Sequence, residues 1–414
     1  MRTGCRRAAL PLLVAALVAT ATGPAAGQSV PPPTPVPPAG SPSPYPTALD
    51  TPVPSAAPPR LAAAAAALGD VDTGDVLWQR KGAERRPIAS VTKIMTALLI
   101  LETSEPGEMV TASAVAAAES GAELGLEPGE QVPVRDLLLA LVLQSANDAA
   151  VALAEHVAGS VDAFVDGMNR RARELGLTDT RFASPNGLDD SGYSTARDLV
   201  ALTTAAFEER GFARIVSTRF HRIPAPEGDP RHIQNRNALL WLYPGATGVK
   251  TGYTAAAGFC LVATAERDGL RLVGVVLGAP GEAFSQAATL LNHGYAAYER
   301  RTVIAEGESL EPIEVGDRPV PTVAGEPVEA LVARGQPVSL EVRPEPDLRL
   351  PIDRGQPLGV VEATAEGVSL GEAPILAATA VTRAVPAPRP DPWWIRALEA
   401  VGRAFARLLR AIFG

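Results

Sequence analysis

Two stretches of the sequence read as β-hairpins, and they lie at opposite ends of a long helical pattern. Leu61 to Leu68 and Val76 to Gln79 bracket an Asp72-Thr73-Gly74 turn, and Phe259 to Glu266 and Leu270 to Leu277 bracket Asp268-Gly269. Between them run Ala/Leu-rich segments at helical spacing: Ile88 to Leu101, Val134 to Leu143, Asp148 to Ala158 and Val161 to Leu175. An isolated hairpin is at best marginal in water, so the two hairpins are expected to share one sheet. A chain that leaves a sheet, makes helices and returns to it predicts an α+β domain over 61–300. Residues 301–383 change to short Val/Leu/Ile/Thr runs broken by Gly and Pro, which predicts a small all-β domain.

The ends carry no such pattern. Arg2, Arg6 and Arg7 precede an apolar run from Ala8 to about Thr22, and Ala25-Ala26-Gly27 follows, so 1–27 reads as a secretory signal peptide too short to span a membrane. Cys5 leaves with it, and Cys260 then stands without an internal disulfide partner, as a small strand residue. Residues 28–60 hold 13 of the 39 prolines and read as an extended linker. A second proline-rich connector, 384–391, leads into an amphipathic helix over 392–414. At 100° per residue Trp394, Leu398, Val401, Phe405, Leu408, Leu409 and Ile412 share one face, opposite Arg396, Arg403, Arg407 and Arg410. Four arginines forbid a comfortable span, and the pattern suits the interface of an anionic membrane; the alternative is a terminal helix packed on a domain.

Charge narrows the function. The net charge of -9 argues against nucleic acid as partner, since that binding rests on a basic footprint. Of the 37 basic residues only Lys81, Lys93 and Lys250 are lysine, so arginine supplies the other 34. A lysine retained in such a chain points to a task arginine cannot do, such as giving up its proton. Ser90 and Lys93 lie three apart at the start of a helical run, so their heads can meet, and a lysine with a depressed pKa can activate a serine hydroxyl. Lys250-Thr251-Gly252-Tyr253 directly precedes the second hairpin. There a cation and a hydroxyl suit a carboxylate, and glycine permits close approach to the strand. Ser145-Ala146-Asn147 falls between two helices, where it reads as an N-cap or as polar groups entering a cleft. The four histidines, His156, His221, His232 and His293, are scattered without metal-ligand spacing, and neither a metal nor a cofactor is proposed.

Serine at a helix start, Ser-x-Asn between helices and Lys-Thr-Gly on a late strand are the three elements of the penicillin-recognising serine acyl-transferases, in their usual order. Arg86-Pro87-Ile88-Ala89-Ser90-Val91-Thr92-Lys93, Ser145-Ala146-Asn147-Asp148, Pro185-Asn186-Gly187-Leu188, Ser194-Thr195-Ala196-Arg197-Asp198 and Gly248-Val249-Lys250-Thr251-Gly252-Tyr253 resemble the low-molecular-weight penicillin-binding D-alanyl-D-alanine carboxypeptidases. The resemblance covers 61–383, includes Leu350 to Gly359 in the β-rich part, and extends to the tail, which is similar to a membrane anchor. It implies a β-lactamase/transpeptidase-like α+β catalytic domain, an antiparallel sheet with a helical subdomain, followed by an all-β domain and the amphipathic helix. It implies Ser90 as acyl-forming nucleophile, Lys93 as its base, and Ser145 and Asn147 as proton relay and substrate positioning. Lys250, Thr251 and Gly252 would bind the substrate, with the backbone N–H groups of Ser90 and Tyr253 as oxyanion hole. The implied partners are a peptidoglycan stem peptide ending in D-Ala-D-Ala, β-lactams as covalent inhibitors, and the outer face of the cytoplasmic membrane.

Two positions depart from the family. Gly192-Tyr193-Ser194 lacks a histidine between Gly and Tyr, and Pro280-Gly281-Glu282 stands where many relatives carry an arginine that bears on the substrate carboxylate. Endopeptidase action on cross-linked stem peptides is the nearer alternative. A β-lactamase would need a deacylating glutamate, and the nearest match, Glu174-Leu175-Gly176-Leu177-Thr178, reads as a solvated helix end. A non-catalytic scaffold is disfavoured by three intact motifs. Gly367-Val368-Ser369-Leu370-Gly371 mimics a hydrolase elbow, but it lies in the all-β part with no helix directly after it, and no histidine follows.

Overall fold

The computed structural model describes residues 57–281, 283–382 and 392–413. The expected signal peptide at 1–27, most of the 28–60 linker, the 384–391 connector and the departure at Glu282 lie outside the described residues. The chain divides into two units between Ala297 and Tyr298.

The first unit opens with β1 (Ala65–Asp70) and β2 (Val76–Arg80), then a 3₁₀ turn (Ala89–Thr92) that runs into α1 (Lys93–Thr103). Next come β3 (Met109–Thr111), α2 (Ala114–Ala117), β4 (Gln131–Pro133), α3 (Val134–Leu139), a π-helical turn (Ala140–Gln144), α4 (Asn147–Ala158) and α5 (Val161–Glu174). After a long loop follow α6 (Ala196–Glu208), α7 (Phe212–Ser217), β5 (Phe220–Ile223), β6 (Arg231–Gln234) and α8 (Leu239–Leu242). The unit closes with β7 (Ala246–Thr254), β8 (Gly258–Arg267), β9 (Leu270–Ala279) and α9 (Phe284–Ala297).

Five strands form one antiparallel sheet in the order β2-β1-β9-β8-β7, so the first hairpin pairs directly with the last strands, Ala67 opposite Val275. Successive strand residues point to opposite faces. Leu68 closes on Gly294 of α9 and Gly69 on Val200 of α6, so helices cover both faces. That is why β8 and β9 are almost continuously apolar and buried. Strand β7 is an edge of this sheet, with Lys250 opposite Val262 and Thr251 opposite Leu261. Helix α1 is apolar nearly all round, with Ile94, Met95, Ala97, Leu98 and Ile100 buried, which makes it a central helix. Lys93 sits at its N-terminus, where the helix dipole disfavours a cation, so stability does not explain its presence. Cys260 is a buried, unpaired residue of β8 whose thiol burial pushes up to about 11.

The second unit holds β10 (Tyr298–Ile304), β11 (Ser309–Val315), β12 (Arg318–Ala324), β13 (Val328–Ala333), β14 (Ser339–Pro344), β15 (Pro357–Ala365) and β16 (Val368–Ala377). Five of these form a sheet in the order β11-β12-β16-β15-β14, and β10 pairs with β13. Its core includes Ile304, Ile313, Val320, Ile352, Leu358, Val361 and Ile375. Ser369 lies in β16 just after the Glu366-Gly367 turn, which disposes of the hydrolase elbow. Helix α10 (Trp393–Phe413) leaves Trp394, Leu398, Val401, Phe405, Leu408 and Leu409 exposed. Among the described residues no helix is long and apolar enough to cross a membrane.

Candidate active site

Ser90 ends up beside Lys93 because the 3₁₀ turn places the two one turn apart. Lys93 Nζ lies 3.0 Å from Ser90 Oγ, 2.8 Å from Asn147 Oδ1 and 2.6 Å from the backbone oxygen of Asn186. The Asn147 amide is oriented by its own Nδ2, which donates to Ser120 O at 2.8 Å. These three partners are not equivalent. Asn147 Oδ1 and Asn186 O can only accept, so both require N–H groups from Lys93 in any protonation state. A neutral amine has two N–H groups and one lone pair. When Lys93 is neutral the lone pair is therefore left for Ser90, the one partner with a proton to donate.

The electrostatics make the neutral form accessible. Lys93 is fully buried, and burial first, then the nearby Arg236 guanidinium, bring it down to about 7; Glu119 and Asp148 pull the other way. Lys250 on β7 is also buried, and burial, Lys93 and Arg236 hold it well below the ordinary lysine range. Its Nζ donates to Thr251 O at 2.9 Å. Arg236, between β6 and α8, has a buried Nη1 without a partner among the described residues, and Asn237 Nδ2 is likewise buried without one. Burial lowers the Arg236 guanidinium as well. Three basic side chains, Lys93, Lys250 and Arg236, are crowded here out of water, so protonating any one of them opposes the others. An anionic ligand would relieve that repulsion.

Backbone geometry completes the site. Gly252 packs so closely on the 3₁₀ turn that an added Cβ would lie 3.0 Å from Ile88 O and 3.1 Å from Ser90 N. This brings Tyr253 on edge strand β7 up to the serine turn. Ser145 adopts the left-handed conformation, φ 67°, between the π-helical turn and α4, while Ala146 occupies the N-cap position. The simple N-cap reading of Ser145 is therefore incorrect. Ala89, directly before Ser90, is left-handed too, φ 48°. Strain of about 1 kcal/mol at each non-glycine residue of this kind is tolerated where the surroundings impose it.

The structure brings together Ser90, Lys93 and Asn147 by hydrogen bonds, and places Ser145, Lys250, Thr251 and Gly252 on the elements that surround them. Sequence reasoning misses Arg236, Glu119 and the role of Asn186. In a chain with 34 arginines one more has no signal, and a backbone carbonyl has none at all. In sequence Asp148 is only a favourable first-turn residue. Its buried carboxylate in fact accepts from the backbone N–H groups of Leu124, Gly125 and Leu126 and so pins the loop carrying Glu119 and Ser120. Glu174 is exposed and ion-paired with Arg171 at 3.3 Å, far from a deacylating role. Among the described residues no His/Cys/Asp/Glu group is arranged to hold a metal.

Residues 53–281 match the family described as D-alanyl-D-alanine carboxypeptidase, and residues 298–383 match the penicillin-binding protein 5 C-terminal domain. The chain is 34% identical over 329 residues to D-alanyl-D-alanine carboxypeptidase DacF of Bacillus subtilis, covering 76% of this chain and 85% of that one. It is 35% identical over 343 residues to DacC of Escherichia coli, covering 77% and 84%. Its structure is similar to that of penicillin binding protein 5 from Haemophilus influenzae, with a TM-score of 0.63, 29% identity, and 79% and 99% of the two chains covered.

Proposed function

The chain belongs to the low-molecular-weight penicillin-binding proteins of the serine-type D-alanyl-D-alanine carboxypeptidase family, and from that premise we propose how its own residues carry the reaction. It removes the terminal D-Ala from peptidoglycan stem peptides. Neutral Lys93 takes the Ser90 hydroxyl proton as Oγ bonds to the carbonyl carbon of the penultimate D-Ala. The backbone N–H groups of Ser90 and Tyr253 hold the negative charge that develops on the carbonyl oxygen. The C–N bond then breaks, and the departing amine of D-Ala takes a proton from Lys93 through Ser145. Water attacks the Ser90 ester, gives a proton to Lys93, and releases the shortened peptide as Ser90 regains its hydrogen.

Asn147 positions the substrate amide as well as Lys93. Lys250 and Thr251 would hold the terminal carboxylate, and Arg236, whose buried Nη1 has no partner among the described residues, would be a third ligand to it. The observation that carries this reading is the hydrogen-bond set of Lys93, in which two obligate acceptors leave its lone pair for Ser90. Penicillin offers a strained acyl group and a carboxylate to the same site. Intact-mass analysis of the penicillin-treated protein should show one covalent adduct, absent in Ser90→Ala; an adduct that persists in that variant overturns the assignment.

Residues 1–27 would direct export, and α10 would then attach the enzyme peripherally to the outer face of the cytoplasmic membrane. Supporting this are the exposed apolar face of α10 and the arginines along its other side.

A further inference from the structure

We propose that Glu119 is a positioning residue for the base: held rigidly beside Lys93, it orients Asn186 on one side of the amine and supplies the counter-charge that fixes the pH at which Lys93 becomes active. The inference rests on the Ser90–Lys93 reading above. Glu119 lies in the loop after α2 and is partly buried. Its Oε2 accepts from Asn186 Nδ2 at 3.1 Å, while Asn186 Oδ1 accepts from Leu188 N at 3.1 Å, so both ends of that amide are engaged. The backbone oxygen of the same Asn186 accepts from Lys93 at 2.6 Å. The next residue, Ser120, accepts from Asn147 Nδ2 through its carbonyl, and Asn147 N donates to Ala122 O at 2.7 Å. Asp148 clamps the far end of the loop through Leu124, Gly125 and Leu126. The Glu119 carboxylate is thus tied to Asn186, and the backbone of its loop to Asn147, the two residues whose oxygens flank Lys93, so the loop cannot swing away without breaking these bonds.

Charges face Lys93 from each surrounding element: Asp148 from α4, Glu119 from this loop, Arg236 from the segment after β6, and Lys250 from β7. Asp148 already satisfies backbone donors, and Arg236 opposes protonation of Lys93. Glu119 is the carboxylate left to balance it. Burial first, with Asp148 adding to it, holds the Glu119 carboxyl above its ordinary range, and Lys93 and the Asn186 amide are the two neighbours that favour its charge.

The test separates charge from geometry. Glu119→Gln keeps an oxygen for Asn186 Nδ2 but removes the charge, whereas Glu119→Asp keeps the charge and shortens the reach. The rate of Ser90 acylation by penicillin is measured from pH 5 to 9 for the full chain and both variants. Glu119→Gln should move the acidic limb down by about one pH unit with a plateau near wild type. Glu119→Asp should leave the limb in place and lower the plateau. A limb in Glu119→Gln that coincides with wild type overturns the inference, as does an equal shift in both variants. If the wild-type protein itself shows no Ser90-dependent acylation, the underlying reading fails instead.

Discussion

A lysine and an arginine carry the same charge at neutral pH, and the site tells them apart by whether the proton can leave. Lys93→Arg should therefore be nearly as damaging as Lys93→Ala, with D-Ala release down roughly 10³-fold in both, since a guanidinium cannot act as base. Lys250→Arg should be milder, roughly tenfold, because a cationic grip on a carboxylate survives the exchange. Purified variants assayed on a D-Ala-D-Ala peptide decide this, and equal losses at the two positions would refute the division of labour. The sign of the pH dependence follows from the same group. Lys93 is depressed to about 7, first by burial and then by Arg236, and it must be neutral to act, so acylation should fall about tenfold per pH unit below that point. Arg236→Gln removes the neighbouring cation, so the limb should move to higher pH while KM rises through the lost carboxylate contact. A limb that stays in place in that variant would separate Arg236 from the base.

Two glycines hold the elements of the site against each other, and they differ in what a methyl group would cost. Gly187 has φ +78°, and an added Cβ would lie 2.0 Å from Ala89 O, against the turn that presents Ser90. Gly187→Ala should destabilise the first unit by roughly 2–4 kcal/mol, from left-handed strain plus overpacking, with activity lost together with stability. Gly252 has no such backbone constraint, and its Cβ would meet Ile88 O, Ser90 N and Val91 N at 3.0–3.1 Å. Gly252→Ala should leave the thermal midpoint nearly unchanged and lower kcat at least about tenfold, because a few tenths of an ångström between β7 and the serine turn would displace the proposed oxyanion donors. Urea unfolding beside single-turnover acylation distinguishes the two. If Gly252→Ala loses stability rather than rate, the close approach serves packing and not chemistry.

At the scale of the whole chain the residues proposed to act on the substrate end at Tyr253, and the apolar face of α10 is exposed, Val401 65% and Phe405 61%. A chain ending at Pro390 should keep its turnover on small peptides and stay in solution, whereas the full chain should sediment with anionic vesicles. Burial of the apolar face supplies one part of that binding, and the arginines add roughly 1 kcal/mol each near an anionic surface. High salt should weaken the second part alone. Sedimentation of the shortened chain, or none by the full one, would sink the attachment and favour a packed helix.

Features that depend on neighbours along the chain are legible in the sequence itself. The hairpins at both ends, the helices between them and the change to short strands after 300 are periodicities of a few residues. The Ser90–Lys93 pair is likewise a local matter of one turn, made conspicuous by a chain with three lysines. What surrounds that pair was decided by tertiary structure. Asn147 reaches Lys93 across 54 residues and Asn186 across 93, and Glu119 reaches Asn186 across 67. Such contacts form only once the sheet has closed and the loops are pinned, and nothing in the local pattern of a glutamate, an asparagine or one arginine among many marks which will be enclosed. The depressed pKa of Lys93 belongs to the same class. A lysine in the sequence is a cation, and only burial beside a second cation brings it down to about 7.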